Sequence, residues 1–294
     1  MRFGIIGNTS KPAVKDVASK LFLILRRGSM PYVVQRELGV WLNANGESLG
    51  ENDLCPESEL PGRCDVLISL GGDGTMLAAA RIAGAHGIPI LGINLGKLGF
   101  LAEFSVNELQ QCISDLVEGR YIIEERMVLQ AESKADQKRY VALNEIVVDK
   151  GASARAVDLE TYVNDDYLVT YAADGIIVNT PTGSTAYSLA TGGPIVLPQS
   201  DVITINPIAP HTLTARPVIV PKNSVIRISV NAGPAPVHIT ADGQVEGFYN
   251  LPAEFIVRQA PYTVKLVKRK NRTFYDLLRT KLLWGFDVRI RAKK

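Results

Sequence analysis

Leu70-Gly71-Gly72-Asp73-Gly74-Thr75 sets one carboxylate among three glycines, between an apolar run over 66–70 and a helix-forming stretch over 76–81. A strand that empties through glycines into a helix presents unpaired N–H groups at the positive end of that helix, which suits a phosphate. Two familiar phosphate motifs do not fit. A P-loop needs Lys-Ser or Lys-Thr after its last glycine, and no lysine follows Gly74; a dinucleotide fingerprint starting at Gly72 meets Leu77 where its third glycine belongs. Asp73 is the residue that needs explaining. A carboxylate beside phosphates is repelled unless it binds a metal, accepts a hydroxyl hydrogen bond or takes a proton. The plainer reading is a helix cap supplied by Asp73 or Thr75, and on this motif alone both readings stand.

A second polar group interrupts an apolar stretch. Asn144-Glu145 separates Val141-Ala142-Leu143 from Ile146-Val147-Val148. Burying such groups unpaired costs about 1–3 kcal/mol for an amide and more for a charge, so each needs a partner. The pair either bonds a neighbouring loop at a strand end or holds ligand hydroxyls or an amide, and both alternatives remain open here.

Further on, Ala173-Asp174-Gly175 leads through Ile176-Ile177-Val178-Asn179 into Thr180-Pro181-Thr182-Gly183-Ser184-Thr185-Ala186-Tyr187-Ser188. This run offers backbone donors, hydroxyls and one aromatic face, a combination that suits a nucleotide. A Thr/Ser-rich turn that only satisfies the caps of a helix over 185–190 is the alternative. The density of hydroxyls, four before Tyr187 and another after it, favours a site. Asp242 and Gln244 are weaker candidates, because Asp-Gly is also the commonest hairpin signal.

The elements that must position these groups change character along the chain. Up to about residue 118, apolar strands alternate with amphipathic helices, the pattern of a doubly wound α/β domain. Val14, Val17, Ala18, Leu21 and Leu25 form one helical stripe, and Ile88-Pro89-Ile90-Leu91-Gly92-Ile93 is a second buried strand that enters a second glycine loop, Asn94 to Phe100. In an open parallel sheet such loops gather at the carboxyl edge, where ligands bind. Residues 42–62, rich in Asn, Gly, Glu and Pro, are predicted to be an exposed excursion.

After about Arg126 short β-type runs replace long helices: 141–148, 158–163, 167–171, 175–179, 218–220, 225–230, 237–240, 255–257 and 264–267. They predict a β-rich, sandwich-like domain over 126–269. The first domain, 1–125, is predicted to be completed by a C-terminal helix, 270–294.

The 294 residues are 46% hydrophobic and 21% charged with a net charge of +2, the composition of an ordinary globular protein with no general pull toward nucleic acid or membrane. The basic tail over 265–294 interleaves its charges with Leu277, Leu278 and Leu282, as a docked amphipathic helix does. The chain opens on a strand instead of a signal peptide, and its three cysteines show no paired spacing, which points to a reducing cytoplasm. His86, His211 and His238 stand apart, so neither a metal cluster nor a histidine triad is predicted.

Five elements in this order resemble the bacterial NAD kinases. They are Gly71-Gly72-Asp73-Gly74; Gly92-Ile93-Asn94-Leu95-Gly96 with Leu98-Gly99-Phe100-Leu101; Asn144-Glu145; Asp174-Gly175; and the run 180–188. The resemblance runs from about residue 3 to residue 284. Diacylglycerol kinases and phosphofructokinases share only the first element, and a non-catalytic dinucleotide-binding regulator would need no acid in the glycine turn.

The resemblance implies two domains, with a site in the cleft between them, and transfer of the terminal phosphoryl group of ATP to the 2′-hydroxyl of the adenosine ribose of NAD. It makes Asp73 the general base and Gly71, Gly72 and Gly74 the phosphate cradle. It assigns NAD contacts to Asp73, Gly74, Asn144, Glu145, Arg155, Asp174, Thr185, Ala186, Tyr187, Ser188, Leu189, Ala190 and Gln244. It brings Mg²⁺ with the triphosphate instead of at a dedicated protein site, and a homodimer or homotetramer. Ala172 stands where some relatives carry an arginine associated with choosing NAD over NADH.

Overall fold

The computed structural model describes residues 1–96, 99–233, 236–270 and 272–284. The chain falls into two compact units, Met1–Glu124 with Lys265–Lys294, and Glu125–Val264.

In the first unit the strands Ile90–Asn94, Val66–Gly71, Phe3–Gly7, Tyr32–Gln35 and Leu54–Cys55 lie side by side in that order, all parallel. Leu266 adds a further parallel contact beside Ile90, and Phe104–Ser105 also pairs with Ile90–Asn94. The sheet is wound on both faces. Phe3, Ile5, Val66, Ile68, Leu70, Leu91 and Ile93 share one core with the helices Ala13–Arg27 and Leu109–Val117. The alternate positions Gly4 and Gly92 face Cys64 and Met76 instead. This is the period-two alternation of a strand with both faces covered.

The excursion predicted over 42–62 is less exposed than its composition suggests. Leu49, Leu54, Cys55 and Leu60 are buried, and Leu54–Cys55 pairs with Tyr32–Gln35. Among the described residues the C-terminal helix spans Phe274–Leu282. Thr273 sets its start: the Asp276 amide donates to Thr273 Oγ1 at 3.2 Å, and the Thr273 amide donates back to Asp276 at 2.9 Å. The rest of that prediction, at Asn271 and 285–294, and Lys97 and Leu98 of the second glycine loop lie outside the described residues.

In the second unit, six antiparallel strands form one sheet among the described residues, in the order Val218–Pro221, Val202–Ile208, Gly175–Asn179, Glu145–Asp149, Val237–Ala241, Val245–Tyr249. A second layer contains Asp166–Ala173, Val157–Val163, Ile226–Val230 and the first residues of Ala253–Lys268. Inward residues of both layers, among them Ile146, Val148, Ile176, Leu159, Ile228 and Phe255, make one sandwich core.

Three strands were not predicted. Ile122–Ser133 hides behind Glu124-Glu125-Arg126, Val202–Ile208 carries Pro207, and Val245–Tyr249 is split by Gly247. The runs 255–257 and 264–267 fuse into the single strand Ala253–Lys268. The run 141–148 is instead two strands, Arg139–Ala142 and Glu145–Asp149, because the chain bends onto a carboxylate at the break.

Candidate functional site

Strand Val66–Gly71 delivers Asp73 to the first position of the helix Asp73–Ala83. Neither Asp73 nor Thr75 caps that helix, contrary to the plainer reading; Gly72 holds the cap position and supplies no side chain. The Asp73 carboxylate turns to the second glycine loop. It accepts hydrogen bonds from the backbone amides of Phe100 at 2.8 Å, Leu101 at 3.0 Å and Ala102 at 3.2 Å. The Leu95 amide donates to the Gly71 carbonyl at 3.0 Å, so the two glycine loops are tied at both ends.

Of the three cradle glycines, Gly71 has a packing role, since a Cβ there would fall 1.9 Å from Thr75 Oγ1. Gly72 faces a cation: Lys11 Nζ lies 3.5 Å from the place its Cβ would take. No lysine follows Gly74; the cation here comes instead from the loop after the first strand, at the same carboxyl edge of the sheet, and its place just before Ala13–Arg27 is the signal that could have found it. Gly74 is exposed beside Asp73.

In the second unit a second carboxylate repeats this device. Asp242 accepts from the amides of Leu143 at 2.9 Å, Asn144 at 2.7 Å and Glu145 at 3.2 Å, and its own amide donates to the Glu145 carbonyl at 3.0 Å. The hairpin reading of Asp242 is correct for its backbone, which is left-handed with φ 53°, yet its side chain holds Asn144-Glu145 in place.

Glu145 is 7% exposed, and its Oε2 has no hydrogen-bond partner. Burial first, and then the charge of Asp242, push its carboxyl up to about 8, against the pull of a Tyr187 backbone hydrogen bond. Glu145 is therefore a neutral acid at pH 7. Asn179 stands directly opposite it across the paired strands, and Asn179 Oδ1 is also without a hydrogen-bond partner. Two unsatisfied buried oxygens on residues opposed across paired strands are costly unless a ligand group meets them.

The hydroxyls of 180–185 do not wait for a ligand. Thr180 Oγ1 donates to the Leu143 carbonyl at 2.7 Å, Ser184 Oγ to Pro181 at 2.7 Å, and Thr185 Oγ1 to Thr182 at 3.3 Å, while Arg126 donates to Thr182 Oγ1 at 3.1 Å. Their density is explained by the tight path of the chain. The predicted helix over 185–190 is a 3-10 turn, Thr182–Thr185, followed by one helical turn, Tyr187–Ala190.

Gly183 shows how tight that path is, for a Cβ there would sit 2.2 Å from the Asn144 carbonyl oxygen. Backbone cannot yield as a side chain would. Gly183→Ala is therefore expected to lower stability by about 1–3 kcal/mol, which thermal melts measure.

What faces solvent is a cavity of about 550 Å³ whose walls include Asp149, Lys150, Asp174, Tyr187, His238 and Phe248. Tyr187 is 45% exposed, and burial with the charges of Asp149, Asp174 and Glu145 raises its phenol above the ordinary range. His238 stacks on Phe248 at 4.6 Å and lies 3.2 Å from carboxylate oxygens of both Asp149 and Glu246. Lys150 pairs with Asp174 at 2.6 Å. Aromatic faces flanked by fixed charges fit a planar heterocycle carrying polar edges.

The structure thus brings Asp174 and Tyr187 to one cavity, with Asn144 and Glu145 held behind Gly183. Ser188 is fully buried, with an Oγ that lacks a hydrogen-bond partner. Ala186 and Leu189 are half-buried, whereas Ala190, Arg155 and Gln244 are exposed and outside the cavity wall. Asp149, His238 and Phe248 escaped the sequence reading because each is an unremarkable strand residue until antiparallel register juxtaposes them. Among the described residues no group of three or more His, Cys, Asp or Glu could hold a metal ion, and no helix is long and apolar enough to cross a membrane.

Comparison with known sequences decides the family. Residues 3–121 match the ATP-NAD kinase N-terminal domain, and residues 143–269 match the ATP-NAD kinase C-terminal domain. The chain belongs to the ATP-NAD kinase family. Among ATP-NAD kinases, the NAD kinase of Bacteroides fragilis is 41% identical over 99% of this chain and 100% of its own length. The NAD kinase of Moorella thermoacetica is 41% identical over 97% of this chain and 90% of its own. The crystal structure of yeast NADH kinase complexed with NADH superposes with a TM-score of 0.90 at 26% identity, over 98% of this chain and 89% of that one. An NAD kinase from Archaeoglobus fulgidus, solved with ATP, shares the ATP-NAD kinase fold with a TM-score of 0.72 at 24% identity, over 97% of this chain and 98% of that one.

Proposed function

We propose that this chain transfers the terminal phosphoryl group of ATP to the 2′-hydroxyl of the adenosine ribose of NAD, giving NADP and ADP, with Asp73 as general base. The observation that carries the assignment of the base is the Asp73 carboxylate itself, fixed at the first position of a helix by three backbone amides. A base so placed takes the ribose hydroxyl proton as the new O–P bond forms and the bond to the departing ADP breaks. Such a base contributes about 10²- to 10⁴-fold, so most of the acceleration comes from alignment and charge neutralisation. Lys11 beside Gly72, with the amides around Gly72 and Gly74, is suited to the charge of the triphosphate.

When bound with the triphosphate, Mg²⁺ would offset its charge. Recognition of NAD falls to the second unit. Glu145, carrying its proton, donates to the dinucleotide while Asn144 and Asn179 offer amide groups, and Tyr187 and Asp174 line the cavity for the ring. Arg155, Gln244 and 185–190 complete the binding set that the family resemblance implies. The resemblance also points to a homodimer or homotetramer, which light scattering reads directly. The three free thiols suit a reducing cytoplasm.

The test is to incubate the purified chain with ATP, Mg²⁺ and NAD and to detect NADP with an NADP-specific dehydrogenase. Binding of NAD without formation of NADP would favour a regulator. A parallel reaction with NADH reads the Ala172 position: with no arginine there, NADH is expected to be phosphorylated as well, in keeping with the NADH bound to the yeast relative.

A further inference from the structure

The loop that holds Asp73 is itself held. Its last residue before the strand Phe104–Ser105 is Glu103, whose carboxylate pairs with Lys268 at the end of the strand Ala253–Lys268. The two side chains are 6% and 4% exposed, so the pair is buried. One residue earlier is Ala102, which donates its amide to Asp73 and whose carbonyl accepts from Gly99 at 3.3 Å. The residues after Lys268 press on the same loop. Arg269 pairs with Glu108 and lies over the Phe104 ring at 4.9 Å, and Phe274 meets Phe100 with ring centroids 6.5 Å apart.

We propose that the buried Glu103–Lys268 ion pair is a positioning device for Asp73, setting the three amides of Phe100, Leu101 and Ala102 that aim its carboxylate. Two features set this pair apart from a stability element. A buried pair is costly to desolvate, and apolar residues of like volume often serve folding equally well, so retention of charge here asks for another reason. The pair also sits next in sequence to the amides that touch Asp73, and its direction is fixed by a strand rather than a loop. A carboxylate misplaced by about 1 Å can cost as much as 10²-fold in turnover, so small displacements of this loop are read strongly in kcat. The inference rests on the reading of Asp73 as the base.

The double substitution Glu103→Leu with Lys268→Met removes both charges and keeps the volume. The expected result is a folded enzyme whose kcat falls about 10-fold or more, with KM for NAD and for ATP within about twofold, the split expected when alignment and not binding is lost. Hydrogen exchange at the amides of Phe100, Leu101 and Ala102 is expected to accelerate. Wild-type kcat with unchanged exchange overturns the proposal, as does a parallel rise in both KM values without loss of kcat. Should the double variant not fold, Phe274→Ala loosens the same loop through a half-buried ring contact; it is expected to lower kcat about threefold at constant KM, and full turnover overturns the proposal. Asp73→Asn run beside these variants separates the two ideas. If it turns over like the wild type, the assignment of the base fails; if it loses turnover while the double variant keeps both kcat and amide protection, the brace fails.

Discussion

Asp73→Asn is expected to lower kcat by about 10²- to 10⁴-fold while KM for NAD and for ATP stays within a few fold. The structure also gives this substitution a stability cost that near-isosteric size alone hides. The carboxylate receives Leu101 and Ala102 on Oδ1 and Phe100 on Oδ2. Asparagine has one acceptor oxygen, so it keeps one side of this arrangement and sets an NH₂ against an N–H on the other. Losing one such bond costs about 1–3 kcal/mol, which for a chain of this size lowers Tm by about 2–4 °C per kcal/mol. A melt and a turnover assay on the same sample measure the two effects separately. Turnover at the wild-type level would remove Asp73 from the role of base whatever the melt shows.

The second large effect lies at Glu145 and is read through pH. Its carboxyl is held up to about 8 in the folded chain, against an ordinary value of 4.5. Below the ordinary value both folded and unfolded chains carry the proton, and burial of the carboxyl is cheapest. Between the two values the unfolded chain has released the proton and the folded chain has not, so stability falls by about 1.4 kcal/mol for each pH unit. Above about 8 the folded chain ionises too, and the loss levels off at several kcal/mol.

Glu145→Gln replaces the neutral acid with a group that cannot ionise. The variant is therefore expected to gain stability relative to the wild type as pH rises from 5 to 8, by several kcal/mol in the difference between the two proteins. Denaturant melts at both pH values measure it, and other titrating groups cancel in the comparison. A constant difference at pH 5 and pH 8 would mean that Glu145 is already ionised at neutral pH.

The alternation of strand and helix in the first 118 residues was legible because burial on both faces leaves a plain apolar record. So was the change of period after Arg126. The strands that escaped carry their polar or conformationally awkward residues in the middle, as Pro207 and Gly247 do, where pairing on the neighbouring strands overrides local preference.

Asp73 could be singled out because an acid among glycines is chemically odd. Its partners could not, for a backbone amide has no residue type, and nothing in Phe100, Leu101 or Ala102 announces a donor. Asp242 was undervalued for a related reason. Asp-Gly reports the turn that the backbone makes, while the three amides held by the side chain come from residues nearly a hundred positions earlier. The hydroxyls of 180–185 misled in the opposite direction. Thr180 bonds Leu143, and Ser184 and Thr185 bond their own segment, so hydroxyls that looked provisioned for a ligand are engaged within the protein.

The first unit is assembled from both ends of the chain, Met1–Glu124 and Lys265–Lys294. On the ribosome this orders events. The strand partner of Ile90 at Leu266, and Lys268 behind Glu103, reach the nascent parallel sheet only after the whole second unit has been synthesised, whereas every residue of that second unit is already available to fold. A polypeptide emerging from the tunnel can thus acquire its sandwich before Leu266 and Lys268 join the first unit.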